Sequence, residues 1–150
     1  MPPILSKMKP WTFPAWEEEA KTLKGIIETK MTRGLRKITR TFEQGKKTGL
    51  DYHKVGLMDE LLTDLETNLK WYQEHLKLVP KHVPLTIEEF IKFNDLGHHE
   101  RIQDIGFTLE DIRKYKLNKE NRTLKQNAYL ILGCLKKIRN IVNDYDYDKE

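Results

Sequence analysis

Residues 16–44 read WEEEAKTLKGIIETKMTRGLRKITRTFEQ, and their periodicity decides the fold. Trp16, Ala20, Leu23, Ile27, Met31, Leu35, Ile38 and Phe42 recur at steps of three or four. That spacing predicts an α-helix with one apolar stripe. Arg33, Arg36, Lys37 and Arg40 fall together on the other side, giving the helix a basic back. Glu17, Glu18 and Glu19 sit in its first turns, where the helix dipole favours acids. Pro14 suits the first turn, where a missing N–H costs nothing. Gly34 weakens the middle, since glycine in a helix costs about 1 kcal/mol against alanine. The helix is expected to end at Gly45, before the basic loop 45–49. That loop lacks the glycine and lysine spacing of a phosphate-binding P-loop.

Downstream, the same period recurs. Met58, Leu61, Leu62, Leu65, Leu69, Tyr72 and Leu76 predict a second helix over 55–79. A short loop between two long helices predicts an antiparallel hairpin. Acids on the second helix (Asp59, Glu60, Asp64, Glu66, Glu74) could then offset bases on the first. Pro80 and Pro84 close it. Thr86-Ile87-Glu88-Glu89 has the form of a capping box and predicts a short helix to about Asn94, with Ile87, Phe90 and Ile91 as its buried side. Two more short helices are expected, 98–105, stopped by Gly106, and 108–116. Leu124, Ala128, Ile131, Leu135, Ile138 and Val142 predict a long last helix over 119–143. No segment alternates at period two for long, so no sheet is expected.

The reading is an all-α, single-domain helical bundle. Two long antiparallel helices come first, short ones fill the middle, and one long helix ends it. Residues 1–14, with four of the six prolines and Ile4, Leu5, Met8, Trp11 and Phe13, form an apolar arm. Residues 15–143 are the helical domain, and 144–150 an acidic tail. One hundred and fifty residues suffice for one real core.

Charge is the main functional signal. The net of +4 is uneven: residues 1–54 hold twelve Lys or Arg against six acids, and residues 55–150 carry a net of −2. A basic front suggests a polyanionic partner. Phosphates need several cations on one face, and arginine grips them bidentately. The expected nucleic-acid-binding set is Lys30, Arg33, Arg36, Lys37, Arg40, Lys46 and Lys47. Arg122 and Lys125 join it if 108–126 forms a helix-turn-helix. The alternative is an adaptor, an inhibitor or an assembly subunit. It would bind an acidic protein surface, or a partner of the arm through Trp11, Phe13 and Trp16; the other reading of the arm folds it back over its own domain, with Trp11 or Phe13 capping the core. The last helix could equally serve a homo-dimer.

Other chemistries find little support. Ser6 is the only serine and no nucleophile elbow occurs, so no catalytic residue is assigned and an enzyme is not expected. His98 and His99 are adjacent, so their side chains diverge on a helix, and no metal or cofactor is expected. Cys134 is a lone cysteine in an apolar run, which suits a core position and a reducing, cytoplasmic setting. The longest apolar run, 129–135, is far short of the ~20 residues of a membrane span, and no signal sequence is recognised. Residues 105–113, IGFTLEDIR, resemble a segment of MerR-type regulators. The likeness stops at nine residues, without the winged DNA-binding portion, and carries no function with it. A regulator of phage or other small-genome type suits the style of the sequence.

Overall fold

The computed structural model describes residues 11–48, 52–79, 81–117 and 124–143. They form five helices: α1 (Phe13–Thr48), α2 (Tyr52–Leu76), α3 (Ile87–Asp95), α4 (His98–Leu117) and α5 (Leu124–Asn143). No strand occurs among the described residues, and the chain is an all-α bundle. The stripe that predicted α1 is what it buries: Trp16, Ala20, Leu23, Ile27, Met31 and Ile38 are all core. Leu35 packs at the core's edge. The side chain of Phe42 lies outside the described ones.

Pairings across the bundle give its directions. Trp16 meets His75, Lys30 meets Asp64, and Gly34 meets Leu61. Numbers rise along α1 as they fall along α2, so the two are antiparallel. Tyr72 with Arg101, Gln73 with Ile102, and Glu66 with Arg113 make α2 and α4 antiparallel too. α5 packs on α1, α2 and α4, and buries Ala128, Ile131, Cys134, Leu135, Ile138 and Val142. The short α3 packs against α4.

Gly34 has a packing role. A Cβ there would lie 2.3 Å from Leu61 Cδ2 and 2.9 Å from its Cδ1. Its bare Cα lets α2 approach α1 closely, and the basic half of α1 is held against α2 at this point.

Three local expectations are corrected. α1 runs through Gly45 to Thr48. The two short helices expected around Gly106 are one helix, α4, of 20 residues. Gln73 of α2 reaches over Gly106 and donates to the Ile102 carbonyl at 2.9 Å. Burial of Ile105, Leu109 and Ile112 outweighs the ~1 kcal/mol propensity cost of one glycine. Thr108, where the second of these was expected to start, donates its hydroxyl to the Asp104 carbonyl one turn back at 2.9 Å, which is mid-helix behaviour. The nine residues that resemble a MerR-type segment therefore lie wholly within α4.

The third correction concerns the face of α3. Its capping box forms as read: Thr86 Oγ1 accepts from Glu89 N at 3.2 Å, and Glu89 Oε1 accepts from Thr86 N at 3.0 Å. Ile87, Phe90 and Ile91 are nevertheless exposed, and Phe93 is buried. Nine residues carry more than one apolar direction, and tertiary partners chose between them. Phe93 packs on Trp16 and His98, and Lys92 Nζ lies 3.2 Å from Glu17 Oε2 on α1.

Candidate nucleic-acid interface

α1 presents its cations between two neighbours. From Thr29 to Phe42 it contains no acid and five bases, Lys30, Arg33, Arg36, Lys37 and Arg40. On the α2 side, Lys30, Arg33, Lys37 and Arg40 edge a groove of about 480 Å³ floored by Gly34, Ile38, Met58 and Leu61. Glu60 and Asp64 form its opposite bank. On the α5 side, Arg36 shares a groove of about 340 Å³ with Glu28, Thr32, Arg139 and Asn143, over Met31 and Leu35. Thr29, Thr32, Arg33 and Arg36 make the shallow surface between the grooves, with Glu28 at its margin.

The expected neutralisation by α2 reaches one base. Lys30 Nζ donates to Asp64 Oδ2 at 2.7 Å, a half-exposed pair. Arg33, Arg36, Lys37 and Arg40 are all exposed, and among the described residues none of the four has an ion-pair partner. They occupy positions i, i+3, i+4 and i+7, about 10 Å along the helix axis. Guanidinium groups so placed offer bidentate donors to successive phosphates. The side chains of Lys46, Lys47 and Lys125 lie outside the described ones. Arg122 and the turn of the expected helix-turn-helix fall in 118–123, also outside.

The arm residues sit elsewhere. Trp11, Phe13 and Trp16 were expected to meet a partner, but they are 4%, 5% and 0% exposed. They are core residues of this chain. Thr12 caps α1, its carbonyl accepting from Trp16 N at 2.9 Å. Of the two readings of the arm, the structure has the one in which these residues fold onto their own core: three large aromatic side chains so close together favour burial when a bundle end lies within reach.

A second polar cluster lies at that end and is closed to solvent. His75, His98 and Arg101 are fully buried among Trp11, Trp16, Tyr72 and Phe93. Arg101 donates to the Tyr72 hydroxyl and lies against its ring. Burial lowers the pKa of His75, partly countered by its bond to the Trp16 carbonyl and by Glu19. Burial also lowers that of His98, to about 3, helped by the charges of Arg101, His99 and His75. Two neutral imidazoles in a sealed aromatic cage are packing groups, and periodicity gave no sign of them. Among the described residues no three His, Cys, Asp or Glu side chains converge to hold a metal ion, and no helix is long and apolar enough to cross a membrane.

No protein-family model, curated protein or solved structure matches this chain. The functional reading therefore rests on the surface itself.

Proposed function

We propose that this chain is a non-enzymatic, basic helical protein that binds nucleic acid, or a nucleoprotein assembly, as an accessory or regulatory factor. One observation carries the reading: four cations on one exposed stretch of α1, none with an ion-pair partner among the described residues. Uncommitted arginines on a rigid helix lose little side-chain freedom to one another, and their charge is available to a polyanion.

Binding on this surface is to phosphate, not to base edges. A helix that reads bases must enter the major groove, which is about as wide as one helix with its side chains. α1 is flanked by α2 and by α5 along the basic stretch. Contacts from such a surface position the protein without specifying sequence.

The test is fluorescence anisotropy on duplex and single-stranded DNA across a salt series. Neutralising Arg33, Arg36, Lys37 and Arg40 to Gln should lower the salt slope on duplex by about 3 to 4, at ~0.9 per phosphate contact. The variant should keep its helical circular dichroism, because all four side chains are exposed. A folded variant with the wild-type slope would sink the reading.

A further inference from the structure

The basic stretch of α1 has a counterpart far away in the chain. α5 also contains no acid from Leu124 to Asn143, and carries Lys125, Lys136, Lys137 and Arg139. Lys137 is occupied, donating to Asp111 Oδ2 on α4 at 2.6 Å. Arg139 is exposed and has no ion-pair partner among the described residues. Folding lays these two acid-free segments side by side, so that Arg36 and Arg139 border one groove; Glu28, just before the acid-free stretch of α1, also lines it, within 4.0 Å of Lys24. The acids of the bundle's other long helices lie on α2 (Asp59, Glu60, Asp64, Glu66, Glu74) and α4 (Glu100, Asp104, Glu110, Asp111). α4 balances its four acids with four bases and α2 is net acidic, whereas the facing stretches of α1 (29–42) and α5 hold bases alone and form a basic seam.

We infer that the groove between α1 and α5 is a cradle for the phosphate backbone of a nucleic-acid duplex, with Arg36 and Arg139 as its two walls. This rests on the nucleic-acid reading above and extends it to a second helix. Packed helix axes are about 8–10 Å apart, so cations on facing flanks grip a backbone ridge from both sides. Thr32, exposed on the α1 wall, adds a hydroxyl donor of the kind that bonds phosphate oxygens. Met31 and Leu35 floor the groove, which keeps the guanidinium groups at its rim.

The choice of duplex over single strand follows from what the walls lack. Single-strand surfaces pair their cations with aromatic side chains on which bases stack. Residues 29–40 and 132–143 contain no aromatic residue. Such a surface holds backbone without engaging bases.

The experiment is the salt series on a short duplex DNA and on a single strand of the same sequence, with wild type, Arg36→Ala, Arg139→Ala and Lys70→Ala. Lys70 is an exposed base on α2 and serves as the control. Arg36→Ala and Arg139→Ala should each lower the duplex salt slope by about 1, with Lys70→Ala at the wild-type slope and all melting temperatures unchanged. Duplex should be bound more tightly than the single strand at equal salt. If Arg36→Ala lowers the slope and Arg139→Ala does not, the cradle is wrong while the α1 reading stands. Tighter binding of the single strand overturns the duplex assignment. If wild type binds neither at low salt, the nucleic-acid reading itself fails.

Discussion

Trp16 and His75 exchange two hydrogen bonds across 59 residues of chain. The Trp16 indole Nε1–H donates to the His75 carbonyl at 2.8 Å, and His75 Nε2–H donates to the Trp16 carbonyl at 2.8 Å. Their rings are stacked, with centroids 5.4 Å apart and planes 9° from parallel. The exchange fixes the tautomer: Nε2 bears the proton and Nδ1 is bare, buried and without a hydrogen-bond partner. α1 and α2 are thereby tied near one end, while the close approach at Gly34 and Leu61 ties them further along.

Trp16→Phe keeps an aromatic ring and removes the indole donor. The His75 carbonyl then keeps only the Leu78 N–H, at 3.2 Å, so the loss is that of one hydrogen bond, about 0.5–1.5 kcal/mol. Urea unfolding followed by circular dichroism should show the midpoint falling accordingly. An unchanged midpoint would mean that the exchange contributes nothing to holding α1 on α2.

Acid should destabilise the fold before its carboxylates are protonated. His98 has a folded pKa of about 3, and His75 is shifted in the same direction, both mainly by burial. Each therefore stabilises the folded state fully above the unfolded value of about 6.5. That contribution is lost as pH falls from there toward the folded value, because the unfolded chain binds protons that the folded chain refuses. Between pH ~6.5 and ~5, unfolding free energy should drop by up to about 1.4 kcal/mol per pH unit from His98, with His75 adding in the same direction. Urea midpoints over that range give the slope. His98→Phe, which suits the surrounding aromatic rings, should flatten it whatever it does to stability at neutral pH.

Gly34→Ala sets two effects against each other. Alanine improves helix propensity by about 1 kcal/mol. Its Cβ would also overlap Leu61, at 2.3 Å from Cδ2. In the wild-type background these should largely cancel. In a Leu61→Ala background the overlap disappears, and Gly34→Ala should stabilise by up to about 1 kcal/mol. A double-mutant cycle measured by urea unfolding tests this: additive effects would show that α1 and α2 are not limited by this contact.

The two sides of α3 should respond very differently. Ile87 is 80% exposed and Phe93 is 1% exposed. Phe93→Ala should cost about 3–5 kcal/mol and Ile87→Ala no more than about 0.5. Thr86→Ala, which breaks the capping box, should fall between, at about 0.5–2 kcal/mol. Equal losses at Ile87 and Phe93 would contradict the orientation of α3.

The sequence by itself determined the helices and the buried stripes of the long ones. A 3.6-residue period is a local property, so the stripes from Trp16 to Ile38 and from Ala128 to Val142 could be read without knowing what would cover them. The capping box at Thr86 was legible for the same reason: both of its partners lie within four residues. The exposed bases of α1 were also legible, as residues off an apolar stripe.

Tertiary structure decided the rest. Continuity of α4 through Gly106 came from Gln73 and from buried neighbours on α2, outweighing a local propensity that argued for a break. The face of α3 was chosen by Trp16 and Glu17, some 75 residues away in the chain. The aromatic residues at 11–16 and the two buried histidines became one cluster only when the ends of α1, α2 and α4 met. The pairing of Arg36 with Arg139 at one groove has the same origin. Period and composition place a charge on a helix, but only packing determines which other helix's charge stands beside it, because that adjacency comes from burying apolar faces and not from the charges themselves.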